Sequence, residues 1–233
     1  MKAISVIFIV ARYPTTYGHT SVINNLCHGL NELGHKTAIG AFSFDNDPPK
    51  GVEKVMLKKN ELLRSGVASL KYDIIHPHQA QVLYYLLFKK PEKPVVFHYH
   101  AASNIIQELN LKLSMKLFKK RISKFISVSE KASHHLEEWA GKCDDVVIYN
   151  GVDTKFFHPD LDQPYRKGTP QLLFVSVLRR YKKTVDLIRV MPELLKTYPK
   201  AHLQIVGNGE DFSRLQNIIK EKGKKITKRQ MCF

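Results

Sequence analysis

Eight short apolar runs punctuate the chain, and most of them are unbroken instead of alternating with polar residues. They lie at 3–10 (AISVIFIV), 37–44 (TAIGAFSF), 73–76 (DIIH), 94–99 (PVVFHY), 124–128 (KFISV), 145–149 (DVVIY), 171–177 (QLLFVSV) and 202–206 (HLQIV). A strand with one wet face alternates; an unbroken β-branched run is covered on both faces, as in a parallel sheet flanked by helices. Between the runs lie helical patterns. Residues 19–33 set Val22, Leu26, Leu30 and Leu33 on one face, and Gly34 stops that helix. Residues 130–140, 183–197 and 210–222 pass the same test. Strand and helix in turn predict a doubly wound α/β fold.

The segment 150–170 (NGVDTKFFHPDLDQPYRKGTP) is rich in Gly, Pro and Asp and has no hydrophobic period, so it marks a boundary. It divides the chain into an N-terminal domain, 1–163, and a short second one, 164–233. With 233 residues in all, the first domain has an ordinary size and the second has too few residues for a complete Rossmann-like domain. Between Lys220 and Arg229 fall six basic residues and one acid, which reads as a solvated or disordered tail.

The formal net charge of +16 bears on partners, not on fold. Phosphate-bearing substrates and an anionic membrane surface are the expected partners. Nucleic acid is not expected, because the basic segments lack the interleaved aromatics of a stacking platform. Cys27, Cys143 and Cys232 form no CxxC pair and no even disulfide framework, so reduced, inert thiols are expected. No apolar run reaches the roughly 18 residues of a membrane span. The start MKAISVIFIV reads as a buried first strand, since no small-residue cleavage site follows, which places the chain in the cytoplasm.

Several motifs carry chemistry. The loop Arg12–His19 joins the first strand to the first helix, where ligands approach a doubly wound sheet, and Gly18 would let a ligand come close. The loop lacks GxGxxG, so it gives no support to a nicotinamide or flavin. His76 and His78 end one strand, and His98 and His100 end the next. No carboxylate or cysteine joins these pairs at ligand spacing, so the expectation is no metal and histidines that line a polar cleft. Arg180 and Lys182, with Arg179 and Lys183, crowd the turn after QLLFVSV and would face a diphosphate. Gly207 and Gly209 form a tight turn after HLQIV, suited to a phosphate or a sugar hydroxyl. In 109–124 (LNLKLSMKLFKKRISK), Leu109, Leu113 and Leu117 repeat at helical spacing, with Lys112, Lys116 and Lys120 on another face. The leucines are expected to pack on the sheet, and the lysines are candidates for contact with anionic lipid.

In chain order, YGHTSVINNLCHGLNELGHKTAIGAF, YDIIHPH, VVFHYH, ISVSEKASHHL, VVIYNGVDTKFFHP, LLFVSVLRRYKKTVDLI, MPELLKTYP and HLQIVGNGEDFSRL resemble the retaining glycosyltransferases of family 4. The resemblance runs from residue 1 to about 222. It implies the GT-B fold, two facing Rossmann-like domains, here with the second incomplete. It implies transfer of a hexose from a nucleotide-diphosphate sugar to a glycan or lipid-linked acceptor with retention. The nucleotide sugar would be a co-substrate, with no bound cofactor. The location implied is cytoplasmic, peripheral to the inner face of the plasma membrane.

By the same resemblance, Gly18, with His19, matches the loop that approaches the donor diphosphate, and His100 the histidine bordering the reacting sugar. Lys182 matches the lysine that grips donor phosphates, with Arg180 as helper, and Gly207 and Gly209 the turn facing the nucleotide. His76 and His78 would lie on the acceptor side. Asn150, Gly151 and Asp153 match a mainly structural hinge motif. The sequence departs from the pattern at His19, where a second glycine is usual, and at Ser176 and Val177, which replace Gly-Arg. It departs again at Lys183, which replaces the glycine after the phosphate lysine. The two glutamates of the family's donor site are absent; Glu53/Glu61 and Glu130/Glu138 share their spacing by chance. These departures set a second expectation beside the first: a truncated, inactive remnant that binds an acceptor or a partner.

Overall fold

Strand β1 (Ser5–Tyr13) is the axis of the first unit, with helix α1 (His19–Glu32) and strand β2 (Lys36–Phe44) following it. Val6 to Val10 are all buried because alternate residues enter two cores: Ile7 and Ile9 join one cluster, and Val6, Phe8 and Val10 the other. The unbroken run is thus a strand with a core on each face. This computed structural model describes residues 2–15, 18–101, 104–158, 169–222 and 226–229. The chain separates into two compact units, Met1–Phe157 and His158–Phe233. The sequence boundary 163/164 lies outside the described residues, as does Cys232.

The first unit continues with β3 (Glu53–Met56), α2 (Lys59–Ser65), β4 (Ile74–Pro77), α3 (Leu83–Leu86), β5 (Val96–Tyr99), α4 (Ile105–Phe118), β6 (Lys124–Ser127), α5 (Glu130–Ala140) and β7 (Asp145–Val147). The strands pair in the orders β3-β2-β1-β4 and β5-β6-β7, all parallel. A parallel bridge, Ile75 to Val95, sets β4 beside β5, and the Ile75 N–H donates to the Pro94 carbonyl at 3.0 Å. Side-chain caps start two helices. The Asn104 side chain accepts from the Gln107 N–H at the head of α4, and that of Ser129 from the Ala132 N–H at the head of α5.

The second unit holds β8 (Gln171–Val175), α6 (Thr184–Thr197), β9 (His202–Val206), α7 (Phe212–Lys222) and β10 (Ile226–Arg229). Its sheet runs β10-β9-β8, again parallel. β9 is buried, while β8 leaves Leu173 and Val175 well exposed.

Three expectations change. The basic tail is not wholly irregular, since 226–229 adds a strand to β9, pairing Ile226 with Leu203 through Arg229 with Val206. Edge strands tolerate lysine and arginine, so charge counting misread it. In α1 the buried face is Ile23 and Cys27, Leu26 and Leu30 pack from its flank, and Leu33 is exposed. The third concerns α4. Leu109, Leu113 and Leu117 do not pack on the sheet; they are 55%, 51% and 54% exposed, while Leu111, Ser114, Met115 and Phe118 are buried. The helix carries two apolar stripes, and spacing alone does not say which one faces the core.

Candidate functional site

Because β4 and β5 are neighbours, their carboxyl ends bring four histidines together. His76, His78 and His98 are 8%, 2% and 3% exposed. Their rings lie face to face, with centroids 4.8 Å apart for His76–His78, 5.4 Å for His76–His98 and 4.8 Å for His78–His98. His100 extends the stack, 4.6 Å from His98 and 5.0 Å from His78. A ring nitrogen of His78, Nδ1, lies 2.8 Å from Nε2 of His100 in a hydrogen bond. His19, the first residue of α1, puts its ring 4.2 Å from that of His100.

Burial keeps this array uncharged. Desolvation of the cation, with repulsion from neighbouring rings, pushes His100 down to about 2 and His76 to about 3. Desolvation holds His98 and His19 at about 4, and His78 well below the ordinary imidazole value. Near neutral pH all five rings are therefore neutral.

On one side of the array opens a cavity of about 320 Å³, within the range of small-molecule pockets, about 300–1,000 Å³. His19, His78 and His100 line it, with Gln79, Gln81, Gln107, Asn110, Arg12 and Tyr99. His76 does not; it stacks behind His78. Gln79 is fixed by the Ala11 N–H, which donates to its Oε1 at 2.8 Å. Arg12 is tied to Asp45 at 2.6 Å. The lining is rich in neutral hydrogen-bonding groups, which suits a polyhydroxylated ligand. Gly18 precedes α1 at φ −60°, and a Cβ there would meet nothing within 4 Å, so the backbone does not require glycine but the space before the helix stays open. Thr16 and Tyr17 lie outside the described residues.

In the second unit the basic turn and the glycine turn, both expected from the sequence to face a phosphate, meet at one end of the sheet. The Arg180–Lys182 turn follows β8 and the Gly207–Gly209 turn follows β9. They are laced together: Leu178 N–H donates to the Asn208 carbonyl at 2.8 Å, and Asp211 N–H to the Leu178 carbonyl at 3.1 Å. Arg180, Lys182 and Lys183 are exposed. Gly207 and Gly209 have φ of 141° and 153°, and a Cβ would come within 1.9 Å of the Ser176 carbonyl oxygen and 2.4 Å of that of Leu178. Close backbone approach by itself thus demands both glycines.

The Glycosyltransferase Family 4 profile matches residues 17–156, more than half of the chain. The chain belongs to glycosyltransferase family 4. A second profile, Glycosyl transferases group 1, matches residues 160–228. The chain is 27% identical over 154 residues to a phosphatidyl-myo-inositol mannosyltransferase of Mycolicibacterium smegmatis, covering 64% of this chain and 40% of that protein. It is 24% identical over 267 residues to an alpha-monoglucosyldiacylglycerol synthase of Acholeplasma laidlawii, covering 93% of this chain and 66% of the relative. The chain thus spans from two fifths to about two thirds of these curated relatives. Among solved structures, HepE of Anabaena in complex with UDP-glucose superposes with a TM-score of 0.72 at 15% identity, covering 99% of this chain and 70% of HepE. The fold is GT-B-like, built from Rossmann-like parallel sheets.

Against the family 4 pattern, the departures acquire positions. Lys183, in place of a glycine, has φ 54° and ψ 29°, the left-handed region that glycine adopts freely. Ser176 and Val177 lie in the strand-to-turn passage against which Gly207 packs. Sequence reading passed over Gln79, Gln107 and Asn110. Gln79 directly follows the HPH motif, a local signal; Gln107 and Asn110 become cavity residues only because α4 crosses that end of the sheet. Among the described residues, no helix is long and apolar enough to cross a membrane.

Proposed function

We propose that the chain is the acceptor-side unit, with part of the donor-side unit, of a retaining hexosyltransferase that uses a nucleotide-diphosphate sugar and a lipid-linked acceptor at an anionic membrane. The observation that carries this reading is the cavity at the carboxyl ends of β4 and β5, with neutral His100 on its wall. His78 engages Nε2 of His100, which leaves Nδ1 for a hydroxyl of the transferred sugar. The amides of Gln79, Gln107 and Asn110 suit the remaining hydroxyls. Exposed Arg180 and Lys182 would bind the diphosphate, and their positive charge would stabilise it as it leaves. HepE was solved with UDP-glucose, which supports a nucleotide sugar as the donor. Both curated relatives carry a lipid in their names, phosphatidyl-myo-inositol in one and diacylglycerol in the other.

Helix α4 supports the membrane part. Ile105, Ile106, Leu109, Leu113 and Leu117 form an exposed apolar stripe, flanked by exposed Lys112, Lys116 and Lys120. Apolar residues that enter the headgroup layer beside lysines that face anionic lipid are the two requirements of an interfacial helix.

A second reading, a chain that binds but does not transfer, is favoured by β8, where Leu172, Leu173 and Val175 remain exposed, as does Val177 just beyond it. Calorimetric titration with UDP, GDP and their hexose conjugates, followed by turnover on lipid acceptors, separates the two. Saturable, nucleotide-selective binding lost in Lys182→Ala, with transfer lost in His100→Ala, supports the transferase. Equal, salt-sensitive binding of every anion, without transfer, favours the second reading.

A further inference from the structure

We propose that His76, His78 and His98 form a binding site for one divalent transition-metal ion such as zinc, behind the cavity wall. Each offers a ring nitrogen, and these atoms lie within 4.8 Å of one another. The set is all nitrogen. Neutral imidazoles without carboxylates suit zinc, cobalt, nickel or copper, and not magnesium or calcium, which take oxygen ligands. The site sits on two adjacent strands of the sheet core, which hold its ligands in place before any ion arrives.

The hydrogen bonding around the rings points the same way. Nε2 of His76, Nε2 of His78 and both ring nitrogens of His98 are buried and have no hydrogen-bond partner among the described residues. A buried polar atom without a partner is costly, and one ion would take a lone pair from each of the three rings, with the second nitrogen of His98 remaining as an N–H. A metal ion accepts ring lone pairs from three sides at once.

His78 carries the clearest signature. Its Nε2 is the atom without a partner, while Nδ1 lies 2.8 Å from Nε2 of His100. A metal-bound histidine characteristically donates its other N–H to a neighbour, which fixes its tautomer. With metal on Nε2, His78 keeps its proton on Nδ1 and donates it to Nε2 of His100. His100 is then held with its own proton on Nδ1. The ion is thereby a positioning device for His100 and does not itself reach the cavity.

Ligand nitrogens around a tetrahedral zinc at 2.0–2.1 Å are about 3.4 Å apart. Binding therefore draws the widest pair together and turns the rings out of their stack, the planes of His76 and His98 being only 20° from parallel. The motion is one of side chains on fixed strands.

The test reads metal uptake and not sugar transfer, so its outcome is independent of the function proposed above. The purified chain, stripped with chelator and shown by circular dichroism to remain folded, is titrated with cobalt(II) and then zinc(II). The expected result is about one ion per chain, with visible cobalt bands of a four-coordinate site that zinc abolishes. His76→Gln and His98→Gln, each with a wild-type dichroism spectrum, should weaken uptake by roughly 100-fold or more, whereas His28→Gln, on the exposed face of α1, should not. If either core variant fails to fold, the other and the cobalt spectrum of the wild type decide. Folded wild-type chain that takes up no cobalt, or uptake lost in His28→Gln but kept in His98→Gln, overturns the proposal.

Discussion

At the scale of single residues, backbone conformation makes opposite predictions for two positions at one sheet edge. Gly207→Ala forces a Cβ against the Ser176 carbonyl at a φ of 141°, so it should lower the thermal midpoint of the second unit sharply and reduce soluble yield. Lys183→Gly relieves a left-handed lysine at φ 54° and should raise stability by up to about 1 kcal/mol, read as a higher midpoint in the same scan. A variant at Gly207 that melts like wild type would show that the two turns are less tightly joined. Cys27 gives a pH prediction. Desolvation raises its thiol to about 12, opposed by a hydrogen bond from Thr37. Its folded value exceeds its unfolded one, so the stabilisation from burying the neutral thiol is complete below the ordinary thiol value near 9 and is lost as pH rises towards 12. Iodoacetamide at pH 8 to 9 should therefore leave Cys27 unmodified in the folded chain and label it in denaturant; mass spectrometry decides.

Among the elements, α4 separates stability from surface function. Met115 is 2% exposed and Leu113 51%, although both are apolar residues of one helix. Met115→Ala should cost about 2–5 kcal/mol with no selective loss of vesicle binding in the fraction that folds. The double change Leu109→Ser, Leu113→Ser should leave the denaturant midpoint almost unmoved and reduce sedimentation with vesicles containing anionic lipid several-fold. Equal vesicle binding by that double variant would remove the apolar stripe from the membrane proposal. The cap of the same helix is a milder lever: Asn104→Ala removes the acceptor of the Gln107 N–H and should cost about 1 kcal/mol. The existence of α4 was legible from its spacing, yet its buried face was not. Leu109, Leu113 and Leu117 repeat every four residues, as do Leu111 and Met115, and only the position of the sheet selects between the two stripes.

Across the whole molecule, a net charge of +16 predicts that association with anionic vesicles weakens as salt shortens the screening length to about 10 Å at 0.1 M. Binding that persists at high salt would be carried by the apolar stripe; binding that vanishes would be electrostatic alone, and sedimentation across a salt series tells them apart. The chain's local chemistry determined the parallel α/β class, because two-sided burial writes itself into the central strands as unbroken apolar runs, visible in AISVIFIV without any neighbour. It determined the glycine turn after β9 as well, since Gly207-Asn208-Gly209 announces a tight bend by residue type. The tertiary structure decided what depends on residues far apart in sequence. It set β4 beside β5 and so stacked His76, His78, His98 and His100, although the sequence shows only two separate HxH pairs. It carried Gln107 and Asn110 over the end of the sheet into the cavity, and it paired the basic segment Ile226–Arg229 with β9. The physical reason is the range of the interactions: periodicity, turn chemistry and capping act within a few residues, whereas strand order and the convergence of side chains are fixed by burial between segments that the sequence separates.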